Sequence, residues 1–281
     1  MNDRYVTLQQ AAAFGGYLQA EERSPGTREK YLRDLRSFSL WLNGEPMTKE
    51  AAAGWKENLL TEGYAPVTVN SMLAALNAFL RFTGWTECRV KFLRLQRRMF
   101  RDPARELSRQ EYDRLVETAR NQGRDRLALL METMAATGIR VSEVRYITVE
   151  AARRGRAEIS LKGKMRTILL SAKLCRKLLK YAQKEKIASG EVFITRSGSR
   201  VSRRQIWAEM KGLCSLAGIA PSKVFPHNLR HLFATTFYKA CKDITRLADT
   251  LGHSSIETTR LYLLTTGAEH VRQLDRLGLV S

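Results

Sequence analysis

Apolar residues in the segment SPGTREKYLRDLRSFSLWL fall at Tyr31, Leu35, Phe38 and Leu42. That i, i+4, i+7, i+11 spacing makes one stripe on an α-helix. Thr27, behind Pro25 and Gly26, is the expected N-cap. The design returns in APVTVNSMLAALNAFLRFTGW, where Met72, Leu76, Phe79 and Leu80 face one way. Thr68 is placed to cap this helix and Gly84 to stop it. TKEAAAGWKENLL, between the two, reads as a third helix, so residues 1–90 predict a small helical domain.

The run KFLRLQRRMFRDPARELS interrupts the periodicity with arginines and a proline. It reads as a basic interdomain linker over 91–106, with Arg94, Arg97, Arg98 and Arg101 placed to follow phosphates. A second domain is expected over 107–281. Ser108 and Glu111 make a capping box at its first helix, and a helix through Met131 and Met134 leads into ATGIRVSEV. AEISLKGKMRTILL holds two β runs around a Lys-Gly tip, the pattern of a hairpin. Helices are predicted over 171–186, over 202–217 after a short strand-turn in EVFITRSG, and over 227–241, 243–251 and 254–265. The last follows a second Ser-x-x-Glu pair, Ser254 and Glu257, which places Tyr262 about two turns in. The expected fold is mainly α with a small β-hairpin.

A chain of 281 residues with 44% apolar composition suits one large domain or two ordinary ones. The formal net charge is +20, but the first 90 residues hold equal numbers of basic and acidic side chains. The whole excess therefore falls in 91–281. Such a balance points to a polyanion, and to nucleic acid rather than a membrane surface. No apolar run is long enough for a membrane span, and the start has no signal-peptide core, so a cytoplasmic protein is expected. Cys88, Cys175, Cys214 and Cys241 form no Cys-x-x-Cys pair. They are expected to be scattered buried thiols rather than a zinc site or a disulfide framework.

Three clusters carry groups that can act on a phosphate. In TGIRVSEV, Arg140 and Glu143 are three apart, so the carboxylate can brace the guanidinium. In HNLRH, His227 and Arg230 share a helix face, with His231 expected to point elsewhere. In LGHSSIETTRLY, His253 stands nine residues before Tyr262. These clusters offer cations, imidazoles and a phenol rather than convergent carboxylates, so a two-metal site is not expected. No P-loop is present, so ATP is not expected either, and no cofactor is called for.

Together, Arg140 in TGIRVSEV, the hairpin lysine, HNLRH, LGHSS and Tyr262 resemble the tyrosine recombinase (phage integrase) family in order and in the step from His253 to Tyr262. The resemblance covers the whole chain, with 1–90 similar to the SAM-like core-binding domain and 107–281 to the catalytic domain, in the core-only layout of the Xer recombinases. It implies a two-domain, C-shaped clamp on double-stranded DNA carrying a specific site. It also implies a homotetramer on two such sites, exchange through a Holliday junction, and a tail that docks on a neighbouring subunit.

By the same resemblance, Tyr262 would attack a phosphodiester and hold the 3′-phosphate. Arg140 and Arg230 would grip the non-bridging oxygens, His227 would exchange a proton with the tyrosine, and His253 would donate to the phosphate. Lys162 would protonate the leaving 5′-oxygen, with Lys164 close enough to compete, and Glu143 would support the arginines. Phenols titrate near pH ~10 and need cations and a base to react at neutral pH. A phosphotyrosine conserves the bond energy, so neither metal nor ATP is required. The sequence departs from the family in the hairpin, LKGKMRT followed by ILL where Val-Pro-Leu is usual. The same chemistry serves type IB topoisomerases and telomere resolvases, and a non-catalytic DNA-binding regulator would keep only the shell of the fold.

Overall fold

A computed structural model describes residues 4–95, 102–161, 164–263, 271–272 and 275–277. The chain divides into two compact units, Met1–Arg97 and Arg98–Ser281.

The first unit contains helices α1 (Leu8–Ala20), α2 (Pro25–Leu42), α3 (Lys49–Thr61) and α4 (Pro66–Phe82). α1 escapes a pattern reading because two glycines interrupt a weak stripe, of which only Phe14 and Leu18 are buried. The α2 stripe buries Leu35, Phe38 and Leu42, and all four α4 positions are buried. Two caps differ from expectation. Ser24, not Thr27, caps α2, and α4 starts behind Ala65 without a side-chain cap. In both helices proline occupies the first turn, where its fixed φ and missing N–H are tolerated, and this moves the start upstream of the threonine. Gly84, with φ +78°, follows the end of α4 as expected.

Two asparagines of α4 hold the chain that leaves this unit. Asn77 accepts from the backbone N–H of Val90 at 3.1 Å and donates to its carbonyl at 2.9 Å. Asn70 does the same to Leu93 at 2.8 and 2.9 Å. Each amide stands in for a strand neighbour, so the segment at 90–93 is tied to the unit. Arg94, next in sequence, is exposed. Arg97, Arg98 and Arg101 lie outside the described residues.

The second unit is built on α5 (Arg109–Asn121) and α6 (Asp125–Thr137), followed by a 3-10 segment, Val141–Tyr146, and the short α7 (Val149–Arg154). Ser108 and Glu111 form the expected capping box. The hairpin pairs β1 (Arg156–Leu161) with β2 (Lys164–Leu169), antiparallel, with Ile159 opposite Arg166 and Ala157 opposite Ile168. Ala157, Ile159, Ile168 and Leu170 face the core, whereas Met165 and Leu169 are exposed. After α8 (Ala172–Lys184), EVFITRSG forms two isolated bridges, Thr148 with Glu191 and Ile194 with Arg200, rather than a strand. The helix expected over 202–217 is broken into α9 (Arg203–Lys211) and α10 (Cys214–Ala217) at Gly212, a poor helix former.

The unit closes with α11 (Pro226–Cys241), α12 (Ile244–Leu251) and α13 (Ile256–Arg260). α13 is shorter than expected and is capped by Ser255, not Ser254, so Tyr262 lies in the turn after the helix rather than within it. α6 and α11 pack against each other, with Leu127, Leu130, Met131, Met134 and Leu229 in one core. Cys88 and Cys214 are buried and Cys175 partly so, but Cys241 is exposed because it ends α11. Among the described residues, no helix is long and apolar enough to cross a membrane.

Candidate active site

The site begins where α6 stops. Gly138 ends the helix with φ +63°, and a Cβ there would lie 2.5 Å from the ring of Phe233 on α11. Only glycine lets the two helices approach so closely. Two residues on, Arg140 opens the 3-10 segment. It donates through its backbone N–H to Glu143 Oε2 and through Nη1 to Oε1, both at 2.9 Å. Glu143 is 3% exposed and also accepts from Arg166 at 2.5 Å. Arg166 occupies an inward register position on β2, and its Nη1 reaches the carbonyl of Thr250. One buried carboxylate thus holds two guanidiniums. Burial alone would raise the Glu143 pKa. The Arg140 backbone N–H and the Arg166 and Arg140 charges outweigh it and keep the carboxyl below its usual value.

α11 supplies the next groups from its first turns. Arg230, 2% exposed, donates to the carbonyls of Gly138 and Leu251 at 2.6 and 2.7 Å. Its Nη2 is also 2.8 Å from His253 Nε2. Burial, then the Arg140 charge, lowers Arg230 to about 10, so it remains a cation at neutral pH. His227, one turn earlier, has its pKa lowered by burial and by Arg230 and Arg140. A neutral imidazole can accept a proton.

Gly252 ends α12 with φ +63° and turns the chain toward His253, whose Nδ1 lies 2.8 Å from Thr259 Oγ1. Burial and the neighbouring arginines lower His253 to about 4. Tyr262 is 7% exposed, packed on Ala234, Leu247 and Leu251. Its ring stacks on His253 with centroids 5.6 Å apart and planes at 17°. Its hydroxyl lies 3.3 Å from His227 Nε2.

Arg140, Glu143, His227, Arg230, His253 and Tyr262 therefore converge, from segments far apart in the chain. Lys162 lies outside the described residues, as does the side chain of Lys164. His231 does not point elsewhere: its ring centroid is 5.5 Å from that of Tyr262, on the side facing Glu106. The i, i+4 relation of His227 and His231 puts both on one face, as the i, i+3 relation does for Arg230. Arg166 and Thr259 were not singled out from sequence. Period-two alternation with Ile168 and Leu170 marks Arg166 as inward-facing, but an arginine in a strand reads as solvent-facing. No local signal distinguishes Thr259.

Residues 105–268 match the Phage integrase family, and residues 11–87 match the Phage integrase N-terminal SAM-like domain. The chain belongs to the phage integrase family of tyrosine recombinases. It is 28% identical to the tyrosine recombinase XerA of Pyrococcus furiosus, covering 100% of this chain and 98% of the relative. It is 30% identical to the tyrosine recombinase XerD of Brucella suis biovar 1, covering 92% and 94%. Solved structures share the fold. The XerH recombinase bound to difH in a pre-cleavage complex aligns with a TM-score of 0.70 at 19% identity, over 95% of this chain and 84% of that one. A lambda integrase tetramer bound to a Holliday junction aligns with a TM-score of 0.74 at 17% identity, over 93% and 78%. The tyrosine recombinase is thus a site-specific recombinase, an enzyme that breaks and rejoins DNA strands.

Proposed function

We propose that Tyr262 is the nucleophile of this recombinase and that the surrounding cations and imidazoles serve its attack on one DNA phosphodiester. The observation that carries this reading is the 3.3 Å approach of the Tyr262 hydroxyl to Nε2 of a neutral His227. His227 takes the phenolic proton as the oxygen attacks phosphorus. Arg230, buried and fixed by two carbonyls, and Arg140, 41% exposed and braced by Glu143, hold the non-bridging oxygens. Carbonyl contacts hold Arg230 and Glu143 holds Arg140 before the substrate arrives, so only the Arg230–His253 contact is exchanged as they take up the phosphate. His253 donates to the phosphate, and Lys162 protonates the departing 5′-oxygen. The 3′-phosphotyrosine is then attacked by a DNA 5′-hydroxyl. One phosphodiester is exchanged for another, with no metal or ATP consumed.

The partner is double-stranded DNA with a specific site, held by the core-binding unit over 1–90, the catalytic unit over 107–281 and the basic run between them. Two sites come together in a homotetramer, exchanging strands through a Holliday junction, in integration, excision or dimer resolution. Val271 and Leu277, both more than half exposed, belong to the tail that docks on a neighbouring subunit.

A nicked suicide duplex tests the chemistry. The wild-type protein is expected to give a covalent band on a denaturing gel, and Tyr262→Phe to bind DNA without one. A Tyr262→Phe protein that still traps DNA overturns the assignment. Sequencing the trapped DNA identifies the site.

A further inference from the structure

Thr259 is fully buried on α13, three residues before Tyr262, and its Oγ1 meets Nδ1 of His253 at 2.8 Å. On the other side of the same ring, Arg230 Nη2 meets Nε2 at 2.8 Å. A guanidinium has donors and no acceptor. Nε2 must therefore be the bare nitrogen. With its pKa lowered to about 4, His253 is neutral at pH 7 and carries a single ring proton. That proton sits on Nδ1, and Thr259 Oγ1 accepts it. Both nitrogens are thus engaged within the protein, and Nε2 has no hydrogen to offer. Donation from Nε2 to a phosphoryl oxygen needs the opposite tautomer.

A threonine hydroxyl accepts or donates according to its rotor. Turned round, it donates to a bare Nδ1, which favours the hydrogen on Nε2. We infer that Thr259 is a positioning residue that holds the His253 ring in either tautomer, as acceptor for one and donor for the other. It accepts from Nδ1–H in the DNA-free enzyme and donates to Nδ1 once a phosphate draws Arg230 Nη2 away from Nε2. Nδ1 gives up its proton to solvent and Nε2 takes one up from solvent, with no change in net charge. The Arg230–His253 bond is the resting form of the site, exchanged for two bonds to the phosphate. The inference rests on the reading of His253 as a phosphate donor.

Two measurements test it on the full-length protein. In two-bond 1H–15N spectra of the DNA-free wild type, His253 is expected as the Nδ1–H form. The Nε2–H form there overturns the proposal. Single-turnover cleavage is then followed on a nicked duplex carrying the sequence trapped on Tyr262. Thr259→Val, of equal shape, is expected to slow covalent cleavage about tenfold or more, and Thr259→Ser to stay within about threefold of wild type, because its hydroxyl does the same work. In a His253→Ala background Thr259→Val is expected to cost nothing further, since Thr259 acts through that ring. An undiminished cost there, or equal rates for the valine and wild-type proteins, overturns the proposal. His253→Ala cleaving at the wild-type rate removes the phosphate-donor reading instead, while the spectra still decide the tautomer in the free enzyme.

Discussion

Arg166 lies directly against Gly252: a Cβ at position 252 would stand 2.5 Å from its Cδ. The hairpin arginine therefore reaches Glu143 only because the turn before His253 has no side chain. Gly252→Ala adds this clash to a φ of +63°. It is expected to cost about 1–3 kcal/mol in denaturant unfolding and to reduce suicide-duplex cleavage by displacing Arg166 and the His253 turn together. Cleavage at the wild-type rate with unchanged stability would show that the approach is not needed.

Among the described residues, Glu143 is the single buried anion between Arg140 and Arg166. Glu143→Gln keeps its shape but leaves two guanidiniums facing a neutral amide. A loss of about 2 kcal/mol is expected, with a larger loss of cleavage than of DNA binding. Equilibrium unfolding and a binding titration at one salt concentration separate the two effects.

Arg230 and Arg140 are expected to respond differently to lysine. Arg230→Lys replaces a buried fork that serves two carbonyls and an imidazole, and an ammonium cannot reach all three. About 2 kcal/mol of stability should go with the activity. Arg140 is 41% exposed, so Arg140→Lys should cost less than about 1 kcal/mol while still abolishing cleavage. Melting curves of the two variants test the ranking.

Stability should fall on the acid side of neutrality. His253 is lowered to about 4 by burial and its arginine neighbours, and His227 is also lowered, burial leading. An unfolded histidine takes up its proton near pH ~6.5, so the unfolded state binds more protons than the folded state between that pH and about 4. The contribution is complete above pH ~7 and is lost as pH falls through this window. Glu143, whose folded pKa is lowered, adds a loss of the same sign further into acid. Melting temperatures from pH 7.5 to 4.5 should decline in wild type and decline less in His253→Gln. Parallel slopes would contradict the assignment.

The helices that could be read from sequence are those whose signals are local. The Ser108–Glu111 box, the Gly84 stop and the stripes of α2 and α4 each act within a few residues. Structure and expectation differ where two local signals compete. Proline claimed the first turn of α2 ahead of Thr27, and Ser255 rather than Ser254 capped α13, leaving Tyr262 beyond the helix end. His231 lies beside Tyr262 because its i, i+4 relation to His227 keeps it on the same helix face as Arg230 at i, i+3.

The chain's own pattern determined its mainly helical character, its basic second half and the motifs carrying the six side chains that the fold brings together, because caps, periodicity and motif spacing are short-range properties. Tertiary structure alone decided that Arg166 shares the Glu143 carboxylate with Arg140, that Thr259 meets His253 and that three imidazoles surround Tyr262. These contacts join a hairpin, the end of α6, the start of α11 and the turn after α12. Their partners are chosen by how the elements pack and by the lack of a Cβ at Gly138 and Gly252, which no local spacing encodes.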